Sequence, residues 1–182
     1  MNTPILTPGQ TIGPFYGQAL PYAGDNELVP PGRADAIRLH GDVLDGEGTP
    51  IPDALIEIWQ ADAAGQVPQA GGSIHRDGWT FTGFGRCSTD STGHYSFSTV
   101  LPGATEGGKA PFFAVTVFAR GLLDRLFTRI YLPDHAANES DALLASLPAD
   151  ERRTLIAAAD AQGLRFDIHL QGERETVFLT HG

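Results

Sequence analysis

The residue types that most often bind metals are present in this chain, but they do not stand at metal-binding spacings. The six histidines are scattered along the sequence as His40, His75, His94, His135, His169 and His181. A strand presents two ligands to one ion from positions i and i+2, and a helix does so from i and i+4. No pair of these histidines has either spacing, so we expect them to be satisfied core or surface residues.

Phenolate and carboxylate oxygens are the other donors that could do chemistry. The four tyrosines are Tyr16, Tyr22, Tyr95 and Tyr131, and packing at strand ends is the commoner role of tyrosine. Asp42, Asp45 and Glu47 fall in and around a predicted hairpin loop, where Asp usually serves turn geometry. The chain also has no GxSxG elbow and no Gly-rich phosphate loop. Taken alone, the residues indicate no self-contained active site.

The charge and composition narrow the classes of function. The formal net charge is −10, and Lys109 is the only lysine. Binding to nucleic acid or to an anionic membrane is therefore disfavoured, because a protein that binds either one needs clustered positive charge. The N-terminal sequence lacks the pattern of a secretory signal, so we expect a cytoplasmic protein. Cys87 is the only cysteine and cannot form an internal disulfide, which agrees with a reducing compartment. We predict that it is a small buried strand residue.

The first 35 residues differ in pattern from the rest of the chain. Residues 1–35 are rich in Pro and Gly, and their apolar side chains follow neither a helical nor a strand period. This pattern predicts an extended arm whose apolar side chains pack on a protein surface, rather than a disordered tail. Residues 36–182 are predicted to form the folded domain.

Alternating apolar residues separated by turn signals predict an all-β domain. "AIRLHGDVLD" and "ALIEIWQA" are predicted to form one hairpin, and "GRCSTDSTGHYSFSTVLP" a second one around a turn at Asp90–Gly93. "FFAVTVFA" with "RLFTRIYLP" and "LRFDIHLQG" with "TVFL" are two further predicted pairs. Ala and Leu at helical spacing predict short inserted helices near residues 136–162. Seven or eight such strands favour an antiparallel Greek-key β-sandwich.

Four segments give the chain a specific resemblance. They are "QTIGPFY", "DGEGTPIPDALIEIWQADAAG", "GFGRCSTDSTGHYSFSTVLPG" and "RFDIHLQGERETVFL", in this order. Together they resemble the intradiol ring-cleavage dioxygenases over nearly the whole chain. The resemblance implies a β-sandwich and, in iron-binding members, a non-haem Fe(III) held by two tyrosines and two histidines.

The ligand positions implied by this resemblance hold residues that cannot bind iron. Val67 stands where a tyrosine follows the strand "EIWQA", and Thr105 lies nearest the place of the second tyrosine. Phe112 and Ala114 occupy the positions of the His-any-His pair. Phenolate and imidazole donors suit Fe(III), whereas these four side chains cannot replace them. We therefore expect no metal ligand and no catalytic residue in this chain.

The resemblance then implies an iron-free subunit of a hetero-oligomer. A homologous beta-type subunit would hold the Fe(III), and this chain would close the substrate pocket across the interface without being active alone. The arm of residues 1–35 would pack on that partner subunit, the alternative being an arm folded back on its own domain. The implied reaction is the cleavage of protocatechuate with O2 to 3-carboxy-cis,cis-muconate.

The resemblance also implies which residues line the shared pocket. Thr11, Gly13 and Pro14 would lie beside the bound catechol, where Gly13 lets backbone approach closely and Pro14 stiffens the wall. Arg129 would pair with the substrate carboxylate through its planar guanidinium. The plainer alternatives are a Gly-Pro turn in the arm and an arginine that pairs with Asp134 or solvent.

Two other functions are compatible with the same residues. One is a non-enzymatic β-sandwich binding module of the transthyretin-like or carbohydrate-binding kind. The other is an alpha-type subunit of a dioxygenase for another substituted catechol. The sequence does not separate the possible catechols.

Overall fold

The chain forms two β-sheets joined by short helices in the computed structural model, which describes residues 15–69 and 76–180. The strands are β1 Ile37–Leu44, β2 Leu55–Trp59, β3 Phe84–Ser88, β4 His94–Thr99, β5 Phe112–Phe118, β6 Leu126–Tyr131, β7 Ala158–Asp160, β8 Gly163–Arg165 and β9 Ile168–His169. The helices are α1 Tyr16–Ala19, a 3-10 helix Ala136–Glu139, α2 Ala142–Ser146 and α3 Ala149–Arg153. No helix in the described residues is long and apolar enough to cross a membrane.

The two sheets pack face to face, which confirms the predicted β-sandwich. One sheet has the order β3-β2-β5-β6, and all of its pairings are antiparallel. The other has the order β4-β1-β8-β7, with β9 also pairing β1. Its β1–β8 and β1–β9 pairings are parallel, so the expectation of antiparallel pairing holds only for part of this sheet. The core contains Leu39 and Val43 from β1 and Ile56 and Ile58 from β2.

Two of the predicted hairpins are wrong. Strands β1 and β2 lie in different sheets, and so do β3 and β4. Alternation specifies which face of a strand is buried, but it does not specify the neighbouring strand. The turn expected at Asp90–Gly93 is present, because the Gly93 N–H donates to the Asp90 carbonyl oxygen at 3.0 Å. It connects the two sheets, as in Greek-key sandwiches.

The third predicted hairpin is correct, and the C-terminal pair is not. Strands β5 and β6 are antiparallel, with Phe112 opposite Tyr131. "LRFDIHLQG" divides into β8 and β9, whereas "TVFL" forms no strand. Instead, its backbone ties the two sheets together: the Thr176 N–H donates to the His169 carbonyl oxygen, and the Leu179 N–H donates to that of Phe127.

Three short helices lie between Ala136 and Arg153, as expected for the inserted segment. The predicted helical region ends too late, because residues 158–160 form strand β7, which pairs with β8. The Asp160 carboxylate accepts from the N–H groups of Gln162 and Gly163 and thereby fixes the turn between these strands. Pairing at the sheet edge therefore overrides the helical propensity of the alanines.

Residues 15–35, the described part of the arm, lie against the chain's own sheets. Leu28 and Val29 are buried, and both of their N–H groups donate to the Ser98 carbonyl oxygen. The Arg86 N–H donates in turn to the Asp25 carbonyl oxygen. This part follows the alternative of an arm folded back on its own domain. Residues 1–14 lie outside the described residues, and packing of the arm on a partner stays a prediction.

Cys87 matches its prediction. It is buried in β3, and this burial raises the pKa of its thiol to about 11.

Candidate functional site

One end of the four-stranded sheet presents a row of three side chains on its outer face. Trp59 on β2 is opposite Ala114 on β5, and Ala114 is opposite Arg129 on β6. Successive side chains of a strand point to opposite faces, and the neighbouring Val115 packs into the core. Trp59, Ala114 and Arg129 therefore project away from the core.

A cavity of about 170 Å³ lies at this end of the sheet. Its walls include Trp59, Gln60, Val67, Thr105, Phe112 and Ala114. The four positions expected to have lost their iron ligands thus surround one space, although they span two loops and a strand. Every described residue that lines this cavity is uncharged.

The residues around the cavity do not fit a ferric ion. Fe(III) favours hard anionic oxygen donors and imidazole nitrogens, whereas Val67, Phe112 and Ala114 have no side-chain donor atom. Thr105 offers one neutral hydroxyl. Within residues 15–69 and 76–180, no three His, Cys, Asp or Glu side chains are grouped as a metal site would require.

Two glycines allow the loops that follow β2 and β4 to meet above the sheet. Gly65 has a φ of 81°, and a Cβ there would lie 2.0 Å from the Ala104 carbonyl oxygen. A Cβ at Gly103 would lie 2.5 Å from the Gly65 nitrogen. The Asp62 carboxylate fixes the first loop by accepting from the N–H groups of Ala64 and Gln66. The backbone at Gly65 therefore packs directly on the backbone at Gly103 and Ala104, and the two loops together form one wall of the cavity.

Arg129 is held beside this cavity by two aromatic residues. Its guanidinium carbon lies 4.1 Å from the centroid of the Phe112 ring, and its Nη1 donates to the Tyr131 hydroxyl at 3.2 Å. That hydroxyl donates to the Asp141 carboxylate at 3.0 Å, and Asp141 also caps the N-terminus of α2. Burial raises the pKa of Tyr131, so its hydroxyl stays protonated at neutral pH. Asp134 is not the partner of Arg129 in this arrangement.

The structure describes only one of the four predicted substrate-binding residues. Arg129 lies on β6 and contacts a residue of the cavity wall. Thr11, Gly13 and Pro14 lie outside the described residues, so their roles stay predictions. Sequence reasoning missed Trp59 as a cavity wall and Tyr131, with Asp141 behind it, as a support of Arg129. The correctly predicted β5–β6 hairpin, extended to its register, could have indicated Tyr131.

A second polar cluster lies on the other sheet. Asp42 lies in β1, within the predicted strand "AIRLHGDVLD". Its carboxylate contacts His94 Nδ1 at 2.7 Å and Arg165 Nη2 at 2.6 Å. Burial alone would raise the pKa of Asp42, but hydrogen bonds from His94 and Arg165 lower it below its ordinary value. His40 pairs with Asp160 at 3.2 Å. These contacts give His40 and His94 structural roles.

Comparison with known proteins places the chain in a family. A family model described as dioxygenase matches residues 12–172. The chain is 38% identical to the protocatechuate 3,4-dioxygenase alpha chain of Burkholderia cepacia, over 98% of each chain. It belongs to the intradiol dioxygenase family. The resemblance found in the sequence is thereby confirmed.

Two further comparisons bear on the assembly and the fold of this intradiol dioxygenase family member. The protocatechuate 3,4-dioxygenase beta chain of Burkholderia cepacia is 32% identical, covering 78% of this chain and 67% of the relative. The dioxygenase domain of a carbohydrate-binding fusion protein from Streptomyces sp. SirexAA-E superposes with a TM-score of 0.60 and 24% identity, covering 91% of this chain and 98% of that one. This likeness supports the fold alone. The intradiol dioxygenases depend on non-haem iron, and the cavity described here lacks suitable donors for it.

Proposed function

We propose that the chain is the alpha subunit of a protocatechuate 3,4-dioxygenase. It completes the substrate pocket of a homologous beta subunit, which binds the Fe(III) and cleaves protocatechuate with O2 to 3-carboxy-cis,cis-muconate. The observation that carries the proposal is that Val67, Thr105, Phe112 and Ala114, the four positions at which the resemblance implies lost iron ligands, line one cavity. The end-to-end similarity to an alpha chain supports the same assignment.

The proposed role of this chain is to bind and orient the substrate and to exclude water. Thr11, Gly13 and Pro14 form the wall that the arm contributes to the shared pocket, and the Thr11 hydroxyl donates to a substrate oxygen. Arg129 recognises the carboxylate of protocatechuate. The assembly works in the cytoplasm, where the single cysteine stays reduced.

The contacts of Arg129 support its role in recognition. A guanidinium has five N–H donors, and one of them is used by the Tyr131 hydroxyl. The Phe112 ring lies against the guanidinium at 4.1 Å, which restricts the rotamers of the side chain. The remaining donors are free to meet a planar carboxylate in a bidentate manner, and little entropy is lost on binding because the arginine is already held.

Co-expression with a beta-type partner tests this proposal. The partner is a chain of the same fold that carries two tyrosines and a His-any-His pair at the positions where this chain has Val67, Thr105, Phe112 and Ala114. We expect the two chains to co-purify, to contain one iron per pair, and to consume O2 in the presence of protocatechuate. Failure of the two chains to associate would contradict the proposal. Activity only with a different substituted catechol would retain the subunit role and change the substrate.

A further inference from the structure

We propose that the cavity above β5 binds a small, uncharged aromatic molecule within this chain itself. The cavity is the space between Trp59, Val67, Thr105, Phe112 and Ala114. The inference does not rest on the proposed function, because it concerns the full chain without partner or iron.

The size of the cavity suits one aromatic ring. Its volume is about 170 Å³, and an apolar cavity of about 150 Å³ in another protein stays dry and binds benzene. Small-molecule sites are typically concave and mostly apolar, with few polar groups. The Thr105 hydroxyl supplies one such group and can exchange a hydrogen bond with a phenolic hydroxyl.

The aromatic walls of the cavity are held in place by contacts outside it. The Trp59 ring packs against Phe84 with centroids 4.7 Å apart. The centroid of the Phe112 ring lies 4.1 Å from the guanidinium carbon of Arg129 and 5.7 Å from the centroid of the Tyr131 ring. Trp59 is nevertheless 46% exposed, so a ligand can reach its ring and cover it. Rigid walls reduce the ordering cost of binding.

The polarity of the walls selects a neutral ring over an anionic one. No described residue that lines the cavity carries a charge. The Gln60 amide, its most polar group, already donates to the carbonyl oxygens of Val100 and Ala61 and accepts from Thr99. A carboxylate in this space would lose hydration without gaining a partner. Arg129 covers the Phe112 ring and does not line the cavity.

The two tryptophans of the chain make the binding directly measurable. Phenol and benzoate are titrated into the full chain at neutral pH and high ionic strength, which screens the net charge, while the two indole N–H signals are followed by NMR. We expect phenol to shift the Trp59 signal saturably. The signal of Trp79, which is 92% exposed, serves as the internal reference and stays in place. Benzoate is expected to bind at least about tenfold more weakly than phenol, since it must shed the water around its carboxylate.

A matched pair of variants on β5 tests the location. Ala114→Leu fills the cavity and is expected to abolish the phenol-dependent shift of Trp59. Thr116→Leu makes a change on the same face of the same strand, two residues further along and outside the cavity wall, and is expected to leave the shift intact. A non-saturable shift, equal shifts at Trp59 and Trp79, or equal binding of benzoate would overturn the proposal. Undiminished binding of phenol by a folded Ala114→Leu variant would also overturn the proposal. If that variant does not fold, the comparison of phenol with benzoate on the unmodified chain tests the proposal.

Discussion

Removing the guanidinium of Arg129 should impair recognition of the substrate carboxylate far more than recognition of the catechol ring. In the alpha–beta enzyme, we expect Arg129→Ala to raise the KM for protocatechuate roughly tenfold to a hundredfold. A hydrogen bond to a charged group is worth about 1.5–3 kcal/mol, and about 1.4 kcal/mol corresponds to a factor of ten. The KM for catechol, which has no carboxylate, should change less than about threefold. Steady-state O2 consumption with both substrates measures the two effects.

Variants that remove only part of the interactions of Arg129 should have smaller effects on the KM for protocatechuate. Tyr131→Phe removes only the hydroxyl that holds Nη1 at 3.2 Å. We expect it to raise the KM for protocatechuate about twofold to tenfold, less than the loss of the guanidinium itself, because the Tyr131 hydroxyl holds the arginine without contacting the substrate. Arg129→Lys should fall between wild type and Arg129→Ala, since lysine keeps the charge but lacks the planar fork.

A control arginine separates recognition from a general effect of charge. Arg125 is exposed, lies just before β6 and stacks on Phe127, so Arg125→Ala should change neither KM appreciably. Equal increases in the KM of protocatechuate and catechol for Arg129→Ala would refute the reasoning. That result would assign Arg129 to packing against Phe112 rather than to the substrate.

Three further predictions concern the folded chain. Ile58→Ala should lower the free energy of unfolding, measured in urea, by about 2–5 kcal/mol because it leaves a cavity in the core. Leu123→Ala, at a side chain that is 63% exposed, should change this free energy by less than about 0.5 kcal/mol. Similar losses for the two variants would argue against the assigned core. The pKa of Asp42 is lowered in the folded state by its contacts with His94 and Arg165, so its stabilisation is complete above the unfolded pKa of about 3.9 and is lost as the pH falls through the lower folded value. Asp42→Asn should thus destabilise the protein at neutral pH and lose this effect in strong acid, and an unchanged difference across that range would count against the ion pairs. The Cys87 thiol, whose pKa burial raises to about 11, should resist a thiol reagent at pH 8 in the native protein and react on unfolding; rapid native labelling would contradict its burial.

The sequence predicts the class of fold well because alternation reports directly on burial. The β5–β6 hairpin was predicted correctly, since its strands are adjacent in both sequence and space. The pairing of β1 was predicted wrongly, because its neighbours β4, β8 and β9 come from distant parts of the chain. Strand pairs of this kind depend on how two sheets cover one core, and no local pattern encodes that.

The candidate site likewise has a part that the sequence predicts and a part that it does not. The resemblance indicated Val67, Thr105, Phe112 and Ala114 one by one, and the structure brings them around a single cavity. The residue types alone show that none of the four side chains is a phenolate or an imidazole. The contacts of Arg129 with Phe112 and Tyr131 are not predictable from local sequence, since they depend on the register between β5 and β6. Tyr131 is supported in turn by a buried hydrogen bond to Asp141, which lies in the helical segment.

The central claim is that this chain has the scaffold of an intradiol dioxygenase but that the described residues around its cavity include no donors suited to iron. Metal analysis and visible spectroscopy of the full chain, purified without a partner from iron-supplemented cells, test it most directly. We expect far less than one iron per chain and no tyrosinate-to-iron absorption band. One tightly bound iron per chain, together with that band, would contradict it.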